Sequence, residues 1–143
     1  MYPELMVMPM REELTRLGVQ ELRTANEVDS VLARKQGTVM VVVNSICGCA
    51  AGRMRPAVRL AMEHSIRPDK IVTVFAGQDR DATDQARSYF TGYQPSSPSI
   101  GLLRDGELVF MLERHDIEHR EAEDIAGDLT AAFNKFCAKT TAN

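Results

Sequence analysis

The chain has no surplus of basic charge, no long apolar run and little cysteine, and each shortage excludes something. Seventeen Lys and Arg against twenty Asp and Glu leave a net charge of −3, so nucleic acid and anionic membranes are not expected partners. No apolar stretch approaches the length needed to cross a bilayer. The opening residues, Met1-Tyr2-Pro3-Glu4-Leu5, lack the basic segment, apolar core and small-residue cleavage site of a secretory signal, so a cytoplasmic protein is expected. Three cysteines are too few and too unevenly placed for a secreted disulfide framework. In a reducing compartment a disulfide is more often catalytic than structural. Zinc would want about four ligands. Beyond Cys47 and Cys49 only Cys137, His64, His115 and His119 are on offer, in no recognised spacing, so no metal is expected.

What is present centres on Cys47-Gly48-Cys49. Before it runs the most apolar, β-branched stretch of the chain, Thr38-Val39-Met40-Val41-Val42-Val43, without the strict alternation of a half-exposed strand. That pattern predicts a central strand covered on both faces. After it, Met54, Ala57, Val58, Ala61 and Met62 recur at helical spacing. The thiols therefore stand where a buried strand hands over to a helix, where unpaired amides and the positive end of the helix dipole favour thiolate over thiol.

The remaining elements follow in order. Pro9 to Gly18 reads as a short helix and Val19 to Arg23 as a short strand. Thr24 with Glu27 reads as the capping box of a helix ending at Gly37. Pro56 should kink the helix after the cysteines, which ends near Ser65. Ile71 to Phe75 reads as a second buried strand, and Asp79 to Phe90 as a polar helix. Ile100 to Leu103 and Leu108 to Leu112 flank Asp105-Gly106, a hairpin signal. Ala122, Ile125, Ala126, Leu129, Ala132, Phe133 and Phe136 form the stripe of a last helix, with Asp116 as its expected N-cap. We expect a single domain over 1–143, with 1–9 as an N-terminal extension and 140–143 as a loose tail.

A βαβ half followed by a ββα half, with a cysteine pair after the second strand, is the thioredoxin plan: an α/β fold with a central mixed sheet flanked by helices. Ser97-Pro98 falls just before the hairpin, where such proteins hold a cis-proline beside the redox cysteines, and Pro98 is the candidate for it.

Several stretches together resemble the bacilliredoxins, thioredoxin-like proteins with a Cys-Gly-Cys motif. They are Val43 to Gly52, Arg55-Pro56, Phe75-Ala76-Gly77-Gln78-Asp79, Pro95 to Ile100 and Arg114-His115-Asp116-Ile117-Glu118. The resemblance covers nearly the whole chain. It implies removal of bacillithiol from mixed disulfides on client proteins, with a related ability to reduce or isomerise protein disulfides. It also implies Cys47 as the attacking cysteine, Cys49 as the second, and no cofactor beyond the thiol substrate. Bacillithiolated proteins and low-molecular-weight thiols are the implied partners; the oligomeric state is not legible.

The residues themselves agree with exchange chemistry, which wants a thiolate of pKa near ambient pH. Cys47 ends the strand side of the turn and should be the better exposed, whereas Cys49 enters the helix. Gly48 supplies backbone freedom for the turn. Arg53 and Arg55 bring positive charge that supports a thiolate or an acidic small thiol, and Arg55 joins the substrate-binding candidates. Asn44 and Ser45 either cap the helix or touch substrate. Cys137, in apolar company, reads as structural. The competing reading is a non-catalytic thioredoxin-like module that uses the cysteines only to bind metal or a partner.

Overall fold

The apolar run Thr38–Asn44 is the central strand of a five-stranded sheet in a computed structural model that describes residues 1–139. The tail expected at 140–143 lies outside the described residues. In chain order, α1 (Glu4–Thr15) leads into β1 (Gln20–Glu21), α2 (Ala25–Leu32) and β2 (Thr38–Asn44). A wide π-helical turn, Ala50–Met54, runs into α3 (Arg55–Ala61). Then come β3 (Lys70–Phe75), α4 (Arg80–Arg87), β4 (Ser99–Arg104), β5 (Glu107–Leu112), α5 (Arg114–Ile117) and α6 (Ala122–Phe136). The strand order is β1-β3-β2-β4-β5. β1, β3 and β2 pair in parallel, while β4 and β5 run antiparallel.

All seven residues of β2 are buried, and they divide between two layers with the period of a strand. Met40 and Val42 face a core shared with Leu14, Met54, Val58, Ile100, Leu129 and Phe133. Val39, Val41 and Val43 face a second core with Val28, Leu32, Val72, Val74, Ala86 and Phe90. Each such side chain contributes about 1.5–3 kcal/mol on burial, so the strand that leads into the cysteines is anchored on both faces.

The hairpin signal is confirmed: Asp105 and Gly106 have φ of 50° and 87°, the left-handed pair that a two-residue turn between twisted strands requires. Other boundaries differ from expectation. α1 begins at Glu4, inside the stretch read as an extension, and holds Pro9 in its interior. The proline deprives Leu5 of a hydrogen bond, but Leu5 and Pro9 are both exposed, on the side of the helix open to solvent. α2 stops at Leu32, well before Gly37, and of its capping box the structure has the Thr24 half, Oγ1 accepting from Glu27 N. β1 is shorter than expected. Pro56 does not kink one helix; its missing N–H is absorbed by the π turn before it, where Arg55 N donates to Ala50 O, and α3 closes at Ala61. Asp116 does not cap α6, whose N-cap is Glu121. It closes the capping box of the separate short helix α5 with Glu113.

Candidate active site

Beyond β2 the chain is held by hydrogen bonds that converge on a buried arginine. Arg55 is 3% exposed. Its Nη1 donates to Asn44 Oδ1 at 2.9 Å and to Ser45 O at 3.0 Å, and its Nε donates to Glu13 Oε2 at 2.8 Å. Asn44 Oδ1 also accepts from Ser45 N at 2.9 Å, and Asn44 Nδ2 donates to Met10 O at 3.1 Å. Ser45 Oγ in turn accepts from Cys47 N at 3.2 Å. One guanidinium thus fixes the backbone of 44–47 and ties it to α1.

Cys47 and Cys49 are joined as a disulfide with Cα atoms 5.3 Å apart. Cys47 O accepts from Ala50 N at 2.9 Å and Ala51 N at 3.2 Å, which starts the helix at the motif. Cys49 N points at Cys47 Sγ, 3.4 Å away. A backbone donor and a helix N-terminus beside a sulfur are features that favour a thiolate.

Topology brings a second loop to the same place. Val43 pairs with Ser99 across β2 and β4, so Pro98 falls opposite Asn44. The Ser97–Pro98 bond is cis, and Pro98 is buried. Ala76 N donates to Asn44 O at 2.9 Å, which continues the parallel ladder past β3 and delivers the Ala76-Gly77 turn to the same edge. Between these segments lies a cavity of about 410 Å³, with Cys47, Ser45, Ser97, Tyr2, Arg87 and Arg114 in its wall. Cys49 is not in that wall.

Some expected roles change. Asn44 and Arg55, taken from sequence as substrate-binding, are 1% and 3% exposed and direct their polar atoms into the protein; they position the loop. Ser45 both holds Cys47 N and lines the cavity. Arg53 is not in the cavity wall: its Nη1 donates to Arg120 O at 2.6 Å and lies 3.8 Å from Glu121. Gly48 is exposed, does not take a left-handed φ, and would place a Cβ in open space, so the turn does not need the freedom ascribed to it. Cys47 and Cys49 are both half-buried, without the expected contrast in exposure. Cys137 is 7% exposed, and burial pushes its thiol pKa up from the ordinary range.

Sequence reasoning missed the large polar side chains of the wall, Tyr2, Arg87 and Arg114. Tyr2 is held by Gln78, whose Oε1 accepts from Tyr2 N at 2.8 Å and whose Nε2 donates to Tyr2 O at 3.0 Å. Arg114 lies in one of the stretches that carry the family resemblance, which was the available signal; Arg87 had none. As for metals, Glu113, His115 and Asp116 bring ligand atoms within 4.8 Å of one another. The two carboxylates are the α5 capping box, and neither cysteine of the motif takes part.

A family model described as disulphide isomerase matches residues 2–137. The chain is 60% identical to a bacilliredoxin of Koribacter versatilis over 98% of this chain and 97% of that one. It is 50% identical to a bacilliredoxin of Geobacillus kaustophilus over 95% and 94% of the two chains. Among solved structures, Fasciola hepatica thioredoxin aligns with a TM-score of 0.57 at 18% identity, covering 82% of this chain and 99% of that one. Oxidised mitochondrial thioredoxin 3 of Saccharomyces cerevisiae aligns with a TM-score of 0.57 at 14% identity, covering 86% and 98%. At those identities the likeness establishes the thioredoxin fold.

Proposed function

The chain belongs to the bacilliredoxin family and is a thiol–disulfide oxidoreductase of thioredoxin fold, and from that premise we propose that Cys47 and Cys49 are its catalytic pair and that it removes bacillithiol from mixed disulfides on client proteins. Family membership sets aside the reading as a non-catalytic module. The observation that carries the assignment is the placement of Cys47 in the cavity wall, with its Sγ 3.4 Å from the Cys49 amide.

The steps balance as two exchanges. The Cys47 thiolate attacks the bacillithiol sulfur of the mixed disulfide; a Cys47–bacillithiol bond forms, the client sulfur leaves with the bonding electron pair, and it takes a proton from water. Cys49, deprotonated, then attacks Cys47 Sγ, expelling bacillithiol as a thiolate and leaving the Cys47–Cys49 disulfide; alternatively an external thiolate attacks the bacillithiol sulfur of the adduct, forming a disulfide with it and releasing Cys47 as a thiolate. No cofactor is required, because the electrons come from the thiols themselves. Asn44 and Arg55 act as positioning residues for the loop, and Ser45, Gly48 and the Ser97-Pro98 segment border the approaching disulfide. The same exchange serves the reduction or isomerisation of protein disulfides. We place this work in the cytoplasm; among the described residues no helix is long and apolar enough to cross a membrane.

The test mixes reduced protein with a client carrying bacillithiol and follows both by intact mass. The expected result is loss of the bacillithiol mass from the client and appearance of the Cys47–Cys49 disulfide. A client mass that stays unchanged, while a protein disulfide is reduced under the same conditions, contradicts the substrate assignment.

A further inference from the structure

The cavity beside Cys47 has a charge that the thiol chemistry does not need. Its wall contains two arginines and no Asp or Glu, although the chain as a whole is acidic, with a net charge of −3. The arginines come from distant elements, the end of α4 and the start of α5, and converge on one loop. Arg87 Nη2 donates to Ser96 O at 3.2 Å, and Arg114 Nη1 donates to the next carbonyl, Ser97 O, at 3.2 Å. Neither carbonyl carries a formal charge, so within the cavity wall itself no anion answers the two guanidinium groups.

The two are incompletely satisfied in different ways. Arg87 Nε is shut off from water and has no hydrogen-bond partner among the described residues, an expensive state for a donor. Burial lowers its pKa, the nearby Asp84 opposing only in part; an arginine nonetheless stays protonated in a protein. Arg114 pairs with Glu118 at 3.0 Å. That pair is exposed and spans one helical turn, the kind a competing carboxylate displaces at little cost. Two guanidinium groups at one wall suit a carboxylate, and a volume of about 410 Å³ falls in the range of about 300–1,000 Å³ usual for small-molecule sites.

We propose that Arg87 and Arg114 form a carboxylate-recognition site that selects mixed disulfides whose small-thiol half is acidic and sets its sulfur in line with Cys47. The proposal rests on the oxidoreductase reading of Cys47. It adds which side chains tell one small thiol from another.

The test uses one client cysteine capped by either of two probe thiols, 3-mercaptopropionate with a carboxylate or 2-mercaptoethanol without one, and a third sample capped by bacillithiol. The readout is the ratio of kcat/KM for the first probe to that for the second, since lost packing lowers both rates together. The wild-type ratio should be about tenfold, the discrimination available to a charge-assisted bidentate contact, and should fall as salt is raised. Arg87→Gln and Arg114→Gln should each bring the ratio toward one, and Arg87→Lys should keep part of it. If Arg87→Gln fails to fold, Arg114→Gln, whose side chain is half-exposed, carries the test alone. A wild-type ratio near one, or a ratio that survives both substitutions, overturns the proposal. If the wild type keeps its ratio but leaves bacillithiol on the client, the arginine site stands and the bacillithiol assignment falls.

Discussion

Arg55→Met removes the hub of the site while keeping the bulk of the buried stem. Two hydrogen bonds from a buried cation disappear, those to Asn44 Oδ1 and Ser45 O. Bonds to charged groups contribute about 1.5–3 kcal/mol each, but relief of guanidinium desolvation returns part of that. The third partner, Glu13, is 49% exposed, so its ion pair adds at most about 1 kcal/mol. Asn44 Oδ1 keeps its bond from Ser45 N; Ser45 O loses its donor. The net is about 2–3 kcal/mol, which for a chain of this size lowers Tm by roughly 6–12 °C. Function should suffer separately, since a loosened 44–47 segment misplaces Cys47 and displacements of an ångström cost up to about a hundredfold in rate; a fall of about tenfold is expected. The assay is urea denaturation of the oxidised wild type and variant, which keeps the disulfide constant, beside exchange rates well below Tm. Arg55→Lys, which cannot fork to both acceptors, should fall between the two. A stability change under about 0.5 kcal/mol with unaltered exchange would refute the hub role, because it would mean that the buried hydrogen bonds carry no net free energy.

Three further outcomes follow from other parts of the molecule. Arg11, 4% exposed, binds Asp79, Glu21 and Glu4, so Arg11→Met should cost about 1–3 kcal/mol at neutral pH, because these half-buried carboxylates lose their main cationic partner and keep only the half-exposed Arg23. Hydrogen bonding from Arg11, then Gln78, holds the Glu4 pKa below 4.5; a depressed acid stabilises above that value and loses the effect as pH falls through its folded pKa, so the difference between wild type and Arg11→Met should narrow below pH 4.5 in acid titrations of stability. At Gly101 a Cβ would stand 2.5 Å from the Phe90 ring, and Gly101→Ala should cost about 1–3 kcal/mol in urea unfolding; a neutral result would show that Phe90 moves aside freely. Cys137→Ala should cost about 1 kcal/mol in packing and leave exchange unchanged, and alkylation of the reduced native protein should mark Cys47 or Cys49 before the buried Cys137; a large loss of activity would overturn its structural role.

How far the sequence could be read depended on whether a signal was local. The run Thr38 to Val43 announced a strand buried on both faces, and the structure buries every residue of it. Asp105-Gly106 named its own turn, because few residue pairs accept two left-handed φ values in succession. Prolines misled. Pro9 looked like a helix start but sits on the exposed side of α1, and Pro56 looked like a kink but is served by a π turn. The cysteine site was legible as a strand-to-helix junction. The cavity was not, since Tyr2, Arg87 and Arg114 meet only through the return of α1 across the Ala76-Gly77 turn and through carbonyls of the loop before Pro98. No spacing rule reports contacts of that range. Nor could spacing show that Arg55 points inward while Arg53 turns toward α6.

The central claim, that Cys47 attacks and Cys49 resolves, is tested most directly by intact-mass spectrometry of Cys47→Ala and Cys49→Ala after each is mixed with a bacillithiolated client. Cys49→Ala should retain part of the activity and accumulate one bacillithiol on Cys47, because the cysteine of the cavity wall remains while its internal resolving thiol is gone; Cys47→Ala should carry no adduct and leave the client unchanged. An inactive Cys49→Ala with the adduct on Cys49 of the other variant would reverse the two roles, and the absence of any adduct from both would contradict the account.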